Sequence, residues 1–535
     1  PDPFMAEHKE EWGSRLGVVL AVAGSAVGLG NFLRFPGQAA ENGGGAFLIP
    51  YFCALFLLGI PIGWAEWTMG RYGGKKGFHG APMVMGAVGK GSLARYLGVL
   101  GVLIPLGVST YYVFIETWTF AYFLKYLTGG IGIVQGTPIT EQTAAAGQFY
   151  TSITGAGADG SLFTGDSRYT VLSWVVVFAI NIFFVFRGLS KGIEKFVSFA
   201  MPVMAVCALI VLARVLTLGT PNPEIPEQNV INGLGYMWNP DFAALSNFKT
   251  WLAAAGQIFF SLSVGFGVII NYASYMKKED DVALSGLTAS ATNELFEVGF
   301  GGMITLTAAF VFLGVSGTAG AVATGSFGLG FNTLPVVFAQ MGAFENIIGA
   351  VWFFMLWLAA ITSSLSMYAP AVAHLKEATG WTHMKSTATI AMIGTIGAIL
   401  TLWFTEGGAF WSTVDFWVGT YLIFLLAMVQ IIYFGWVFGI DRGWRELHQG
   451  ASIQVPAIFK IVMKYIAPAY LIIVFVGFTI QSLAEEITNS WATIGARVGI
   501  LTILAILIYL VVVTWVGERR LRAAGLDIDD NHPAD

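Results

Sequence analysis

The chain has 535 residues, 56% of them hydrophobic and 11% charged, with a formal net charge of −5. A mean hydropathy of +0.71 excludes an ordinary soluble domain, and the slight acidic excess excludes a nucleic-acid surface. No P-loop or His-Glu-x-x-His pattern occurs, the six histidines are scattered, and Gly314-Val-Ser316-Gly317 lacks the spacing of a nucleophile elbow, so no enzyme is expected.

In chain order, Pro-Asp-Pro-Phe before Met5 reads as a cloning remnant, and a charged stretch, Glu7 to Glu11, precedes the first apolar run. That run is full length, so insertion by the first helix is expected rather than a cleaved signal peptide. A bilayer core takes about 20 mostly apolar residues per helix, and on that measure the sequence predicts an all-α polytopic membrane protein with about 12 spans. They begin near Trp12, Gly45, Leu93, Tyr169, Phe196, Thr250, Asp280, Phe344, Ser386, Ala409, Pro456 and Val498. Residues 1–11 are set apart as remnant and cytoplasmic N-terminal segment, 12–516 as one transmembrane domain, and 517–535 as a cytoplasmic tail.

Of the 27 Lys and Arg residues, all but Arg34, Lys125, Arg168, Arg214, Lys249 and Arg497 fall on one side of this topology. Short cytoplasmic loops are enriched in basic residues, so both termini are expected in the cytoplasm, in a bacterial inner membrane. The polar stretches Thr128 to Arg168 and Thr220 to Ser246 then lie outside, with room for short surface helices. Cys53 and Cys207 fall in apolar spans and read as packing residues.

Two spans carry interruptions. The first contains Gly24-Ser-Ala-Val-Gly-Leu-Gly-Asn31 and the sixth Ser261-Leu-Ser-Val-Gly-Phe-Gly267. Each Gly weakens a helix by about 0.8–1 kcal/mol relative to Ala, and the polar neighbours offer competing local hydrogen bonds. Small-residue packing between membrane helices is the alternative reading of either segment alone. Their positions, first in each of two five-helix halves, instead indicate an inverted repeat: repeat one over about 12–219, repeat two over about 250–438, and two further helices over about 456–516. In such folds the broken half-helices aim positive ends at a carboxylate, and freed carbonyls hold a cation.

Ionisable groups at membrane depth are functional candidates, here Arg34, Glu66, Glu116, Glu294, Glu297 and Asp415. Glu66 and Glu116 read as support around a broken helix; Arg34 and Asp415 read as an outer pair that closes the path, or as a plain salt bridge. Asn31, Ser261, Asn293, Thr362 and Ser363 supply neutral oxygens of the kind hard cations take.

These residues resemble the neurotransmitter:sodium symporter family, and within it bacterial transporters of the LeuT type. The resemblance spans nearly the whole chain and is most specific at Trp12 to Glu41, with Gly-Leu-Gly-Asn-Phe-Leu-Arg-Phe-Pro, at Glu66 to Gly74, Gln257 to Tyr275, Ser285 to Glu294, and Asp415 to Thr420. It implies two sodium ions. One would be held by the Ala26 carbonyl with Asn31, Ser261 and Asn293, the other by the Gly24, Val27 and Ala359 carbonyls with Thr362 and Ser363. A substrate carboxylate would meet the Leu29 and Gly30 amides and the Tyr112 hydroxyl. Its amine would meet the Ala26, Phe260 and Ser261 carbonyls and the Ser263 hydroxyl. Its side chain would rest among Val108, Tyr112, Phe260, Phe266, Ser363 and Met367, and Ser25 is counted with the substrate set. Gates would be Arg34 and Asp415 outside, and Lys9, Trp12, Ser274, Tyr275 and Glu377 inside. Lys9, Ser25, Ser261, Met367 and Glu377 stand where LeuT-type relatives carry Arg, Asn, Thr, Ile and Asp.

Chloride-dependent relatives carry Ser where this chain has Glu297, so the resemblance implies that a fixed carboxylate removes the need for chloride. The expected function is sodium-coupled symport of a small or medium neutral hydrophobic L-amino acid into the cell by alternating access. A proton-coupled permease of the same fold would not need Asn293, Thr362 and Ser363, and an amino-acid sensor would carry a soluble output domain. Expected partners are a neutral L-amino acid, sodium ions and membrane lipid, with no nucleic acid; a homodimer is an open alternative to the monomer.

Overall fold

The computed structural model describes residues 10–164 and 168–531; Lys9 lies outside the described residues. Their regular structure is helical, with an isolated bridge between Gly44 and Pro240 in place of any sheet among them. Ten helices are long and apolar enough to cross a membrane: Gly45–Lys75, Ser92–Leu127, Arg168–Phe186, Leu189–Leu216, Val282–Ala323, Gly342–Thr379, His383–Trp403, Glu406–His448, Ile458–Ala492 and Ile494–Ala523. The remaining two of the twelve expected spans are the interrupted ones. The first is a pair, Arg15–Ala26 and Gly30–Glu41, bent by 48°. The sixth is Phe248–Leu262 followed by Val268–Ala273, neither half of which is long enough alone.

Two helices are too long for one crossing. At 1.5 Å per residue the 42 residues of Val282–Ala323 reach about twice the hydrocarbon thickness, and the chain turns out of the helix at Gly314, with φ 68° and ψ −170°. The 43 residues of Glu406–His448 break similarly at Gly439, φ 93°, before the surface helix Ile440–His448. The fifth span begins at Leu189 instead of Phe196, because Lys191 and Lys195 lie within its first turns and interrupt the apolar run. The twelfth runs to Ala523, past the expected end at 516, its charged last turns carrying Glu518, Arg520 and Arg522.

Side-chain caps fix several starts: Ser14 accepts from Gly17 N at 2.9 Å and Asp281 from Leu284 N at 2.8 Å. Helices Ile139–Thr154 and Val230–Trp238 occupy the two long polar stretches. The third and eighth spans pack along each other more extensively than any other described pair, and the first span leans on the fifth, seventh and eighth. Within the most apolar stretch of each helix, 89% of the third span is buried but only 33% of the eleventh, so the third is core and the eleventh faces lipid.

Candidate functional site

The first span stays helical to Ala26, turns extended at Val27 with φ −72° and ψ 106°, and resumes at Gly30. The sixth ends at Leu262 and passes through left-handed backbone at Ser263, Gly265 and Gly267, φ 55°, 71° and 91°. A side chain at Gly267 would place its Cβ 2.0 Å from the Gly101 carbonyl, so only glycine fits there. Ser263 is a strained residue for this conformation, and its hydroxyl donates across to the Ser25 carbonyl at 3.1 Å, joining the two breaks.

Between the breaks lies a cavity of about 220 Å³. Ser25, Ala26, Leu29, Gly30, Val108, Tyr112, Phe260, Ser261, Ser263, Phe266, Ser363 and Met367 all line it, so the structure brings the whole expected substrate set together. Its lining joins the hydroxyls of Ser25, Ser261, Ser263 and Ser363 with the apolar Val108, Phe260, Phe266 and Met367. Arg34 and Asp415 are the charged residues among those lining it. A Cβ on Gly28 would stand 3.1 Å from the Tyr112 hydroxyl and 3.3 Å from Ser363 Oγ, and one on Gly30 only 2.4 Å from Phe260 Cε1. Glycine therefore brings the first span's backbone against the Tyr112 hydroxyl and the Phe260 ring.

The side chains expected at the first cation form one chain. Asn31 Oδ1 accepts from Gly28 N at 2.8 Å, Asn31 Nδ2 donates to Asn293 Oδ1 at 2.8 Å, and Asn293 Nδ2 donates to Ser261 Oγ at 2.6 Å. Ser261 then donates to Glu297 Oε2. Each amide oxygen keeps a second lone pair, which suits a hard cation.

At the second set, Ser363 Oγ lies 3.3, 3.1, 3.4 and 3.0 Å from the carbonyls of Gly24, Ser25, Val27 and Ala359. One hydroxyl proton serves one of these four oxygens, so the convergence fits a cation that balances the rest. Thr362 Oγ1 stands 3.1 Å from the same Ala359 carbonyl. Gly24 admits this approach, since a Cβ there would already be 3.2 Å from Thr362 Cβ. Among the described residues no group of three His, Cys, Asp or Glu side chains is placed to hold a metal ion.

The two sides of the cavity differ. Outside, Arg34 and Asp415 do not meet in a direct ion pair: the Arg34 guanidinium lies 4.6 Å over the Phe260 ring, and Asp415 accepts from the Tyr111 hydroxyl. Each charge is held by an aromatic residue instead of by the other, and Phe260, which lines the cavity, is 37% exposed. Inside, Trp12 Nε1 donates to the Tyr272 carbonyl at 2.8 Å, and Ser274 Oγ donates to the Asn271 carbonyl at 2.6 Å. Glu377 accepts from the amides of His79 and Gly80 at 3.1 and 3.0 Å, and the space beside Tyr275 is only about 20 Å³. Lys9, the expected partner of Glu377, lies outside the described residues.

Several site residues escape the sequence reading. Tyr51 and Gln257 donate to Glu297 at 2.9 Å each, and Tyr51 also reaches Glu294 at 2.7 Å. Ser366 holds the Ser25 hydroxyl at 2.7 Å, and His79 enters the inner layer. A buried Tyr or Gln in an apolar run is a weak signal, because the carboxyl it meets on another span is set by how the helices pack.

Paired helix breaks around a cavity lined by backbone and hydroxyl groups in a multi-pass helical fold define a secondary transporter. The Sodium:neurotransmitter symporter family matches residues 9–135 and 130–521, and the chain belongs to that family. It is a sodium-dependent transporter, and the family is one of transporters, not enzymes. A sodium-dependent transporter of Methanocaldococcus jannaschii is 30% identical over 86% of this chain and 89% of its own length. The Sodium-dependent nutrient amino acid transporter 1 of Drosophila melanogaster is 26% identical over 88% and 77%. The crystal structure of MhsT in complex with L-phenylalanine superposes with a TM-score of 0.73 at 27% identity, over 88% of this chain and 99% of MhsT, and the fold is of the LeuT type.

Proposed function

We propose that the protein carries a small or medium neutral hydrophobic L-amino acid into the cell by alternating access, coupled to two sodium ions and independent of chloride. The observation that carries this reading is the cavity of about 220 Å³, lined by residues of both helix breaks, with Arg34 and Asp415 as the charged residues among its lining. A zwitterion finds complementary groups there, and a charged side chain would be buried unpaired. The volume is below the roughly 300–1,000 Å³ typical of sites for drug-sized ligands, which suits a single amino acid. The names of the relatives support the class: one is a nutrient amino acid transporter, and MhsT was crystallised with L-phenylalanine.

In this reading Ala26, Asn31, Ser261 and Asn293 hold one sodium ion beside the substrate carboxylate, and Gly24, Val27, Ala359, Thr362 and Ser363 hold the other. Both termini are cytoplasmic and the membrane is the bacterial inner membrane, as the distribution of basic residues favours. Counterflow of labelled leucine, alanine or methionine in sodium-loaded proteoliposomes tests it. Accumulation that needs sodium is the expected result. Strong displacement of label by glutamate or lysine, with none by the three neutral amino acids, overturns the substrate class.

A further inference from the structure

Between the second span and the helix Ala81–Val88, the chain turns inward and puts His79 among residues expected to close the cytoplasmic side. Its ring stacks on Tyr275, centroids 4.1 Å apart and planes within 4°. Its Nδ1 lies 2.9 Å from Ser274 Oγ. Its carbonyl accepts from Asn271 Nδ2 at 3.0 Å, while its amide donates to Glu377.

Hydrogen bookkeeping fixes the direction of the side-chain bond. Ser274 has one hydroxyl proton and spends it on the Asn271 carbonyl at 2.6 Å, so its oxygen accepts from the imidazole and Nδ1 carries the hydrogen. The Glu377 carboxylate meets the His79 and Gly80 amides at the N-terminus of the helix Ala81–Val88, where unpaired amides and the helix dipole favour an anion. A Cβ on Gly80 would stand 2.7 Å from Glu377 Oε2, so glycine is needed for this seat.

We propose that His79 is a positioning residue of the inner gate, a latch that ties the cytoplasmic half of the broken sixth span to the eighth. The chain of contacts runs from Ser274 and Tyr275, which follow Val268–Ala273, through the His79 ring and backbone to Glu377 near the end of Gly342–Thr379. Widening the small space that Tyr275 shares with Ala369, Val372 and Ala373 requires this chain to part. The inference rests on the alternating-access reading above.

The test uses the full chain with Cys53 and Cys207 replaced by Ala and Ala373→Cys as reporter, labelled by a membrane-impermeant maleimide on the cytoplasmic side in sodium. Losing both the stack and the hydrogen bond is expected to speed labelling about tenfold in His79→Ala. His79→Asn keeps a donor near the Nδ1 position and His79→Phe keeps the ring, so each is expected to restore part of the protection. Unchanged labelling in His79→Ala overturns the latch. So does equal acceleration in all three variants, which marks general loosening. The assay needs no amino acid, so failed counterflow with normal labelling behaviour sinks the transport reading separately, and intact counterflow with unchanged labelling sinks the latch alone.

Discussion

The amide of Gly265 donates to Glu66 Oε1 at 3.2 Å, fastening the break in the sixth span to a carboxyl of the second. Gly265 is in left-handed backbone, and a Cβ there would stand 2.8 Å from Ala427 Cβ and from the Ile423 carbonyl, so neighbouring chain encloses the break. Leaving that amide without an acceptor costs about 1–3 kcal/mol. Glu66→Ala is therefore expected to weaken sodium-dependent binding of labelled leucine about tenfold, whereas Glu66→Gln, which keeps an accepting oxygen, stays within about threefold of the parent. Equal affinities for the Ala variant and the parent in a filter-binding assay would show that the break holds itself.

Asn293 stands between Asn31 and Ser261, at 2.8 and 2.6 Å, and in the proposed site its oxygen touches the ion that also meets the substrate carboxylate. Coupling between two ligands is reciprocal. Asn293→Ala should raise the half-saturating sodium concentration and weaken substrate binding together, each by about tenfold for a loss near 1.4 kcal/mol. Titrations of substrate at several sodium concentrations read both. Normal substrate affinity with unchanged sodium dependence contradicts this placement.

Much of this geometry is legible in the sequence because its cause is local. Gly-rich breaks at equivalent spans mark where the chain opens, whereas the grouping of Asn31, Ser261, Asn293, Thr362 and Ser363 into two ion sets comes from the family resemblance. The Arg34–Asp415 pair is not legible in the same way, because whether two long side chains meet depends on what else lies within reach, here Phe260 and Tyr111. His79 is hidden for a related reason. It sits in a polar connection with no periodicity, and its role comes from a stack on Tyr275, nearly two hundred positions away. The fifth span's start is blurred because Lys191 and Lys195 break the hydropathy pattern while the helix continues.

Gly30 and Gly28 differ in what a methyl group would meet. At Gly30 the added Cβ falls 2.4 and 2.8 Å from two carbons of the Phe260 ring, and at Gly28 it falls 3.1 Å from the Tyr112 hydroxyl. Overpacking of the first kind costs about 1–3 kcal/mol, so Gly30→Ala is expected to weaken substrate binding roughly 10- to 100-fold. Gly28→Ala, which a small displacement of the hydroxyl relieves, is expected to stay within about tenfold. Isothermal titration with leucine ranks the two, and a larger loss for Gly28→Ala would mean that Phe260 is free to swing away.

Glu297 accepts three hydrogen bonds in the interior, from Tyr51 and Gln257 at 2.9 Å each and from Ser261. Ser261 also belongs to the proposed first sodium set, so one hydroxyl separates the carboxyl from the ion. A negative charge there offsets the positive charge brought in by sodium, at a depth where neither is hydrated. Glu297→Ser removes that charge and leaves the Gln257 and Ser261 donors facing the space the carboxylate filled, while the single Tyr51 proton goes to Glu294 at 2.7 Å. Unpaired buried donors are costly, and a small anion that accepts from both restores charge and hydrogen bonding together. Uptake by the parent is therefore expected to be unchanged when chloride is replaced by gluconate, and uptake by Glu297→Ser to fall at least about tenfold under the same replacement. Glu297→Gln keeps an accepting oxygen without the charge and separates the two contributions: if charge is what matters, Gln is also impaired, and its larger side chain leaves less room for chloride to rescue it. A parent whose uptake collapses in gluconate, or a Ser variant that works equally well with and without chloride, would show that Glu297 does not stand in for the anion.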